Sequence, residues 1–265
     1  MERLFALADD ALVRYLLVLA RVSPLMILAP LWGSPLVPAQ VRIFLAMLVA
    51  GLLLPAARGT LPPGLMDAPV ALALAVAREL FLGLAIAEIA LLIFAAAQFA
   101  GQLVDIQVGF GVANVIDPLT STQVTLIGQL QYLAALLVFL LMDGHHLLLK
   151  GLAETFTVAP PGSPFDLARF PMAVVVERGG RLLFVLAARI AAPSLVALFL
   201  TNFALGLVSR MLPQMNLFIV GMPVNVAVGL LALAASLPLF AGVWRDAMLS
   251  LRDGFAALLT GLKAA

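Results

Sequence analysis

Three long stretches of this chain carry no charged residue, and they constrain its fold more than any other feature. Residues 118–142, 190–209 and 211–244 contain no Asp, Glu, Lys or Arg. An α-helix needs about 20 apolar residues to cross the roughly 30 Å hydrocarbon core of a bilayer, and each stretch is at least that long. Because 64% of the 265 residues are hydrophobic and only 11% are charged, the composition is that of a membrane protein.

Apolar runs long enough to cross a bilayer recur along the whole sequence. Leu and Ala dominate them, which favours helix over strand, and the repeated ten-residue alternation of a membrane β-barrel is not found. We therefore predict an all-α integral membrane protein with about six long, kinked apolar helices in hairpins. The predicted helices lie near residues 11–31, 41–57, 69–98, 122–142, 181–209 and 217–243. The predicted breaks lie at Pro24, Pro30, Pro193, Pro223 and Pro238.

Several classes of function are excluded by the composition. A net charge of +1 without a run of Lys or Arg excludes a nucleic-acid interface. The absence of cysteine removes disulfides, thiolate metal sites and cysteine nucleophiles. A dinucleotide-binding fingerprint fails because Asn114 stands where a third glycine is needed and no strand precedes the turn. We therefore expect neither an enzyme nor a cofactor.

The segment 105–118 is the one polar, glycine-punctuated passage in the apolar first half of the chain. Gly109 and Gly111 bracket one aromatic residue, and Pro118 disfavours helix at Asp117, so a flexible segment between two helices is predicted. Non-helical backbone survives at membrane depth only where protein or a water-filled cavity surrounds it. The segment is therefore the candidate functional site, where it would line a passage.

Two familiar uses of such a segment are not supported by its residues. The triplet 109–111 resembles the glycine-aromatic-glycine filter of potassium channels, but no threonines precede it and no short pore helix is evident. An intramembrane aspartyl protease would need Asp at the position of Val112. We read Asp105 and Asp117 as hydrogen-bonding groups at the ends of the loop.

Polar and charged residues inside the apolar runs need partners. A charge at the bilayer centre costs at least about 2.5 kcal/mol, so each one should face a partner helix, a cavity or a region outside lipid, or reach the interface from a helix end. Neutral amides there either bond between helices or line a wet passage. The charged residues are Arg14, Arg21, Arg78, Glu79 and Glu88, and the amides include Gln98, Gln102, Asn202 and Asn216. Gly83 and Ala87, or Ala97 and Gly101, stand four residues apart on one helical face and form a weak signal for close helix packing.

The most polar connection, residues 143–181, marks the best internal boundary of the chain. It begins with Asp143-Gly144-His145-His146, the only histidine cluster. Neighbouring side chains on a helix point about 100° apart, which suits a shared metal ion poorly, so no metal site is predicted. We expect a polar helix end with Gly144 as C-cap and the histidines near the last carbonyls, or else a contact to a partner protein.

Taken together, these residues resemble the FliR/SctT family of type III protein export gates. The resemblance covers nearly the whole chain, and the order and spacing of its motifs make it specific. It rests on Arg42 after Pro35 and Pro38, the helix 79–83, the loop from Gly109-Phe110-Gly111 to Asp117-Pro118, Gly128, residues 143–146, Pro193, and residues 210–223 with Pro213, Asn216, Phe218 and Gly221. Virulence-secretion members carry a different run before the loop, so a flagellar member is favoured.

The resemblance implies a non-enzymatic subunit of the flagellar export gate. About one copy of the chain would join FliP and FliQ in the flagellar basal body of the bacterial inner membrane, with FlhB and FlhA nearby, to pass unfolded flagellar proteins. It also implies a FliP-like part at 1–180 and a FliQ-like part at 181–265 within one family domain. The assembly would sit largely above the bilayer plane, which would account for the charges inside apparent spans.

We expect the loop 106–118 to plug the pore at rest, because a hydrophobic constriction blocks ions by dewetting. The expected hinges are Gly109 and Gly111, and the expected seal is Phe110, Val112, Val115 and Ile116. The alternatives are a scaffold subunit that does not line the pore, a virulence-secretion paralogue and, more remotely, a transporter of small solutes.

Overall fold

A computed structural model describes residues 2–34, 37–57, 61–62, 65, 68–110, 125–162, 176–177, 179–212 and 216–264. Within these ranges the chain forms seven α-helices and no strand, which confirms the all-α prediction. The helices are α1 (Glu2–Leu28), α2 (Ala39–Leu53), α3 (Pro69–Val108), α4 (Leu126–Leu141), α5 (Gly144–Val158), α6 (Gly179–Met211) and α7 (Leu217–Ala264).

Four of these helices contain a stretch that is long and apolar enough to cross a membrane. The stretches are Asp10–Leu28 in α1, Pro69–Val108 in α3, Gly179–Met211 in α6 and Ile219–Gly261 in α7. Helices α4 and α5 are each too short, but they make a fifth candidate if they form one broken span. The described part of the chain therefore has the helices of an integral membrane protein.

The helices continue through most of the prolines that the sequence marks as breaks. Pro24 lies inside α1, Pro193 inside α6, and both Pro223 and Pro238 inside α7. Pro30 follows the end of α1. A proline inside a membrane helix is tolerated where neighbouring groups satisfy the carbonyl that it leaves without a donor, so these positions do not end the helices.

Helix α5 corrects the prediction of one long polar connection over 143–181. Its buried residues recur at helical spacing on one face, while Lys150 and Glu154 are exposed on the other. This pattern is that of an amphipathic helix, and the charges lower its average hydropathy enough to hide it from a search for apolar runs. The buried residues are Gly144, Leu148, Gly151, Leu152, Thr155 and Phe156.

The chain divides into two compact units, and α3 and α7 each contribute to both of them. Unit 1 comprises Met1–Leu92, Met142–Gly180 and Ser250–Ala265. Its core contains residues from α1, α3, α5 and the end of α7, including Leu17, Val22, Ile86, Leu152, Phe156, Leu251 and Phe255. The predicted division at residue 180 stays a prediction.

Unit 2 comprises Ile93–Leu141 and Arg181–Leu249. Its core holds an aromatic cluster around Phe94, whose ring meets those of Phe139 and Trp244 edge to face, at centroid distances of 5.3 and 5.1 Å. Tyr132 approaches the same ring at 5.9 Å, and Phe240 stacks on Trp244. Edge-to-face pairs add to the hydrophobic gain from burial, so this cluster anchors α3, α4 and α7 in unit 2.

Candidate functional site

The candidate segment begins where α3 ends, and it begins later than predicted. Residues 105–108 belong to the helix, so the expectation of a flexible chain from Asp105 is wrong for these four positions. Val104, Asp105 and Val108 are all buried. Because these side chains pack inward, the helix continues beyond residue 98, where the predicted apolar run ends. The loop therefore starts at Gly109.

Gly109 ends the helix through its backbone conformation. Its φ of 101° lies in the region that L side chains rarely adopt, and glycine enters it without a steric penalty. The amide N–H groups of Gly109 and Phe110 both donate to the carbonyl of Asp105, each at 3.1 Å. This is the pattern of a glycine C-cap, which turns the chain away from the helix axis at this point.

The side chain of Asp105 joins the two ends of the loop. Its Oδ1 accepts a hydrogen bond from the backbone N–H of Ile127 at 3.1 Å, and its Oδ2 accepts one from Gly128 at 3.2 Å. These N–H groups lie in the first turn of α4, where no helical carbonyl can accept them. A carboxylate at a helix N-terminus also interacts favourably with the helix dipole. Asp105, which is only 4% exposed, thus caps α4 from the last turn of α3.

The two helices also touch through their backbones beside this cap. A Cβ added to Gly101 would collide with Cα and N of Gly128, so only glycine permits the approach. Ala97, the other residue of the predicted packing pair, is fully buried. We name the contact of Gly101 with Gly128, together with the two hydrogen bonds of Asp105, the loop base.

The remaining predicted plug residues lie outside the described part of the chain. The structure describes Asp105, Gly109 and Phe110, and both Gly109 and Phe110 are half-buried. The predicted residues beyond the described ones are Gly111, Val112, Val115, Ile116, Asp117 and Pro118.

The structure pairs Glu79 with Arg21, which sequence reasoning did not link to it. The Arg21 guanidinium donates through Nε to Glu79 Oε2 at 2.6 Å, through Nη1 to Thr155 Oγ1 at 3.2 Å and through Nη2 to the Ala159 carbonyl at 2.8 Å. It also lies 4.4 Å from the centre of the Phe156 ring. Arg21, Glu79, Thr155 and Phe156 have no exposed surface. This buried cluster fastens α1, α3 and α5 together within unit 1.

The other predicted polar residues do not form one site. Arg78 and Glu88 are half-buried on the unit 1 part of α3, and Gln98 and Gln102 are half-buried on its unit 2 part. In unit 2, the Asn202 Oδ1 accepts a hydrogen bond from Asn225 Nδ2 at 2.9 Å, which links α6 to α7. Asn216 is exposed, and its carbonyl accepts bonds from the first turn of α7.

The histidine motif starts a helix rather than ending one. Asp143 has a φ of 54° and precedes Gly144, the first residue of α5. The predicted C-cap at Gly144 is therefore wrong, because the left-handed residue is Asp143. The Nδ1 of His146 lies 3.2 Å from the Asp143 Oδ1, within hydrogen-bonding distance. Possible ligand atoms of Asp143, His145 and His146 lie within 4.8 Å of one another, and the absence of a metal here stays a prediction.

Comparison with known proteins shows which family this chain resembles. The family model for bacterial export proteins, family 1, matches residues 12–251. The flagellar biosynthetic protein FliR of Bacillus subtilis (strain 168) is 37% identical over 84% of this chain and 86% of its own length. FliR of Escherichia coli (strain K12) is 33% identical over 86% and 85%, respectively.

A relative from another secretion system is also similar. The Yop proteins translocation protein T of Yersinia pestis is 29% identical over 72% of this chain and 74% of its own length. Both FliR relatives exceed that identity and cover more of the chain. The chain therefore belongs to the bacterial export proteins of family 1, as a membrane component of a type III export apparatus of the flagellar kind.

Proposed function

We propose that this chain is a gating subunit of a conduit through which unfolded flagellar proteins leave the cytoplasm. The loop 106–118 plugs the conduit, and its movable part begins at Gly109 because residues 105–108 are helical. The chain works with FliP and FliQ, in about one copy, next to FlhB and FlhA in the inner membrane at the basal body. The chain contributes to this export without acting as an enzyme.

The loop base is the observation that carries this proposal. Asp105 bonds the start of α4 to the end of α3, so both ends of the loop are held at one place. A Cβ added to Gly109 would meet no atom of the described residues within 4 Å, its chain neighbours aside. A loop whose two ends are held at the loop base can move while the helices keep their packing.

A hydrophobic plug solves a physical problem that any protein conduit has. A pore wide enough for a polypeptide leaks ions and protons unless a constriction excludes water, and apolar side chains do this by dewetting. The proposed seal therefore consists of Phe110, Val112, Val115 and Ile116, with Gly109 and Gly111 as the hinges.

Exposed apolar residues on α6 and α7 support an assembly of several subunits. Large apolar side chains such as Phe199, Phe203 and Leu231 are well exposed, and in a membrane assembly such faces contact lipid or other subunits. We assign these faces to packing against FliP, FliQ or the bilayer. The polar residues assigned to packing against partners are Arg78, Glu88, Gln98, Gln102, Asn202 and Asn216, while Glu79, predicted for the same role, is fully buried against Arg21 within unit 1.

Two other functions are weighed against the plugged conduit. A scaffold subunit would have the same fold and partners, but its loop would contact no exported protein. A small-solute transporter would work without FliP and FliQ, and the inverted repeats typical of transporters are not evident in the sequence. FliR of Bacillus subtilis and FliR of Escherichia coli are more similar to this chain than Yop protein T is, and over more of its length, which favours the flagellar system over a virulence system.

Deleting the plug tests this proposal. We expect deletion of residues 111–117 to raise the ion conductance of the assembled gate in planar bilayers, because three of the four seal residues are lost and the loop base is kept. The matched control removes residues 165–171, an equal length from the connection that follows α5. Conductance equal to that of the unaltered gate, with assembly intact, would exclude the plug.

A further inference from the structure

A groove between α1 and α2 is a candidate binding site that the gating proposal does not use. It has a volume of about 380 Å³, near the small end of the range for ligand pockets. It lies within unit 1, and its walls are almost entirely apolar. The side chains that matter here are Leu16, Leu19 and Ile27 of α1 and Ile43 and Met47 of α2.

The groove opens outward rather than into the core. Ile43 is 60% exposed, and Leu16 and Met47 are also exposed. An acyl chain that fills this groove removes apolar surface from contact with water and restores the packing that an empty groove lacks.

Arg42 provides the charged part of the site. It is the one charged residue among the described residues that line the groove. Its Nε donates to the Val37 carbonyl at 3.1 Å, which fixes the plane of the guanidinium. Arg42 also lies in the first turn of α2, which begins after Pro38 with no side-chain cap and no acidic residue. A fixed guanidinium and a helix N-terminus both favour a phosphate.

We propose that this groove binds one acyl chain of an anionic phospholipid, with the lipid phosphate at Arg42. The alternative occupant, an apolar helix of another subunit, would set Arg42 against apolar side chains without a counter-charge, which is costly in a membrane. A phospholipid satisfies both parts of the site with one molecule. This inference does not depend on the gating proposal, because the groove and the loop base lie in different units.

The test uses the full chain within its membrane complex and a phosphatidylglycerol that carries a photoactivatable diazirine on one acyl chain. The probe is added in phosphatidylcholine vesicles, and labelled peptides are mapped by mass spectrometry. We expect labels on α1 and α2 around Leu16 and Met47. Arg42→Gln should lower this labelling about fivefold, the effect of one basic residue at an anionic lipid.

Two variants and two competitors control the experiment. Ile43→Trp, a substitution at an exposed position, should block the groove and lower the labelling without disturbing the core. Arg210→Gln, which removes a basic residue at the end of α6, should leave the labelling unchanged. A matched phosphatidylcholine probe should label weakly, and glycerol phosphate without an acyl chain should not compete. Equal labelling by both probes, unaltered labelling in Arg42→Gln, or crosslinks from the groove to another protein would overturn the proposal.

Discussion

Arg21 and Glu79 form the most consequential single contact in unit 1. Each charge alone would cost several kcal/mol in an apolar surrounding, and each is fully buried. Their mutual ion pair, together with Thr155, the Ala159 carbonyl and the Phe156 ring, uses most of the donors of the guanidinium. The cluster therefore specifies how α1, α3 and α5 pack against one another.

Removing one partner of this pair should be far more damaging than removing both. Arg21→Met leaves Glu79 buried without its cation, and we expect a loss of about 3–5 kcal/mol in the free energy of unfolding. The double variant Arg21→Met, Glu79→Leu leaves no buried charge unpaired and should lose less than Arg21→Met alone. Reversible denaturant unfolding of the purified chain in detergent measures both quantities.

Arg189 provides the matched control for this experiment. Its distance to Asp246 is 4.0 Å, and more than half of each side chain is exposed. Exposed pairs contribute about 0–1 kcal/mol, so Arg189→Met should change stability little. Additive losses at Arg21 and Glu79 would show that the pair does not act as a unit.

The need for such a partner follows from the sequence, but its identity does not. The cost of a charge in an apolar run predicts that Glu79 faces a compensating group. The compensating group, Arg21, lies on α1, 58 residues before Glu79. Thr155 lies 76 residues after Glu79. No local pattern links positions that far apart, so only the packing of three helices identifies Arg21.

At the scale of elements, the loop base determines how the candidate segment is attached. The carboxylate of Asp105 replaces the helical carbonyls that the first turn of α4 lacks, and Gly101 lets the backbones touch. A glycine in the left-handed region then ends α3. These contacts hold the end of α3 against the start of α4.

Asp105→Ala should release the start of α4. Hydrogen bonds to a charged group contribute about 1.5–3 kcal/mol each, so the amides of Ile127 and Gly128 should exchange with solvent roughly tenfold faster or more. Hydrogen exchange followed by mass spectrometry of α4 peptides measures this. Glu154→Ala, which alters an exposed carboxylate of α5, should leave α4 unchanged. Unaltered exchange in Asp105→Ala would refute the capping role.

The sequence predicts elements well where apolar character is continuous and poorly where it is confined to one face. The predicted bounds of α4 and α6 agree with those in the structure to within a few residues. Helix α5 and the last part of α7 are missed because Lys150, Glu154, Arg245 and Arg252 lie on exposed faces and interrupt the apolar run. Their buried faces keep helical spacing, and that spacing is the signal that could have found them.

At the scale of the whole molecule, large apolar surfaces remain for lipid or for other subunits. In an 18-residue apolar window of the α7 span only 22% is buried within the chain, against 56% in the corresponding window of α3. A helix with so little internal burial is stabilised by what surrounds it. This low internal burial fits a subunit of a membrane assembly. Composition therefore predicts the class of protein more securely than any single motif predicts the role of the chain.

We propose that the loop beginning at Gly109 lines the path of the exported protein. Because the chain contains no cysteine, a single Phe110→Cys variant gives one reactive thiol on this subunit. A flagellar substrate stalled in the gate and carrying its own cysteine should form a disulfide with it, while Leu52→Cys, on an exposed face of α2, should not. A crosslink at Phe110 is the predicted result. No crosslink at Phe110 or at any cysteine placed along 110–116, in a gate that assembles and stalls normally, would contradict the account and favour a scaffold.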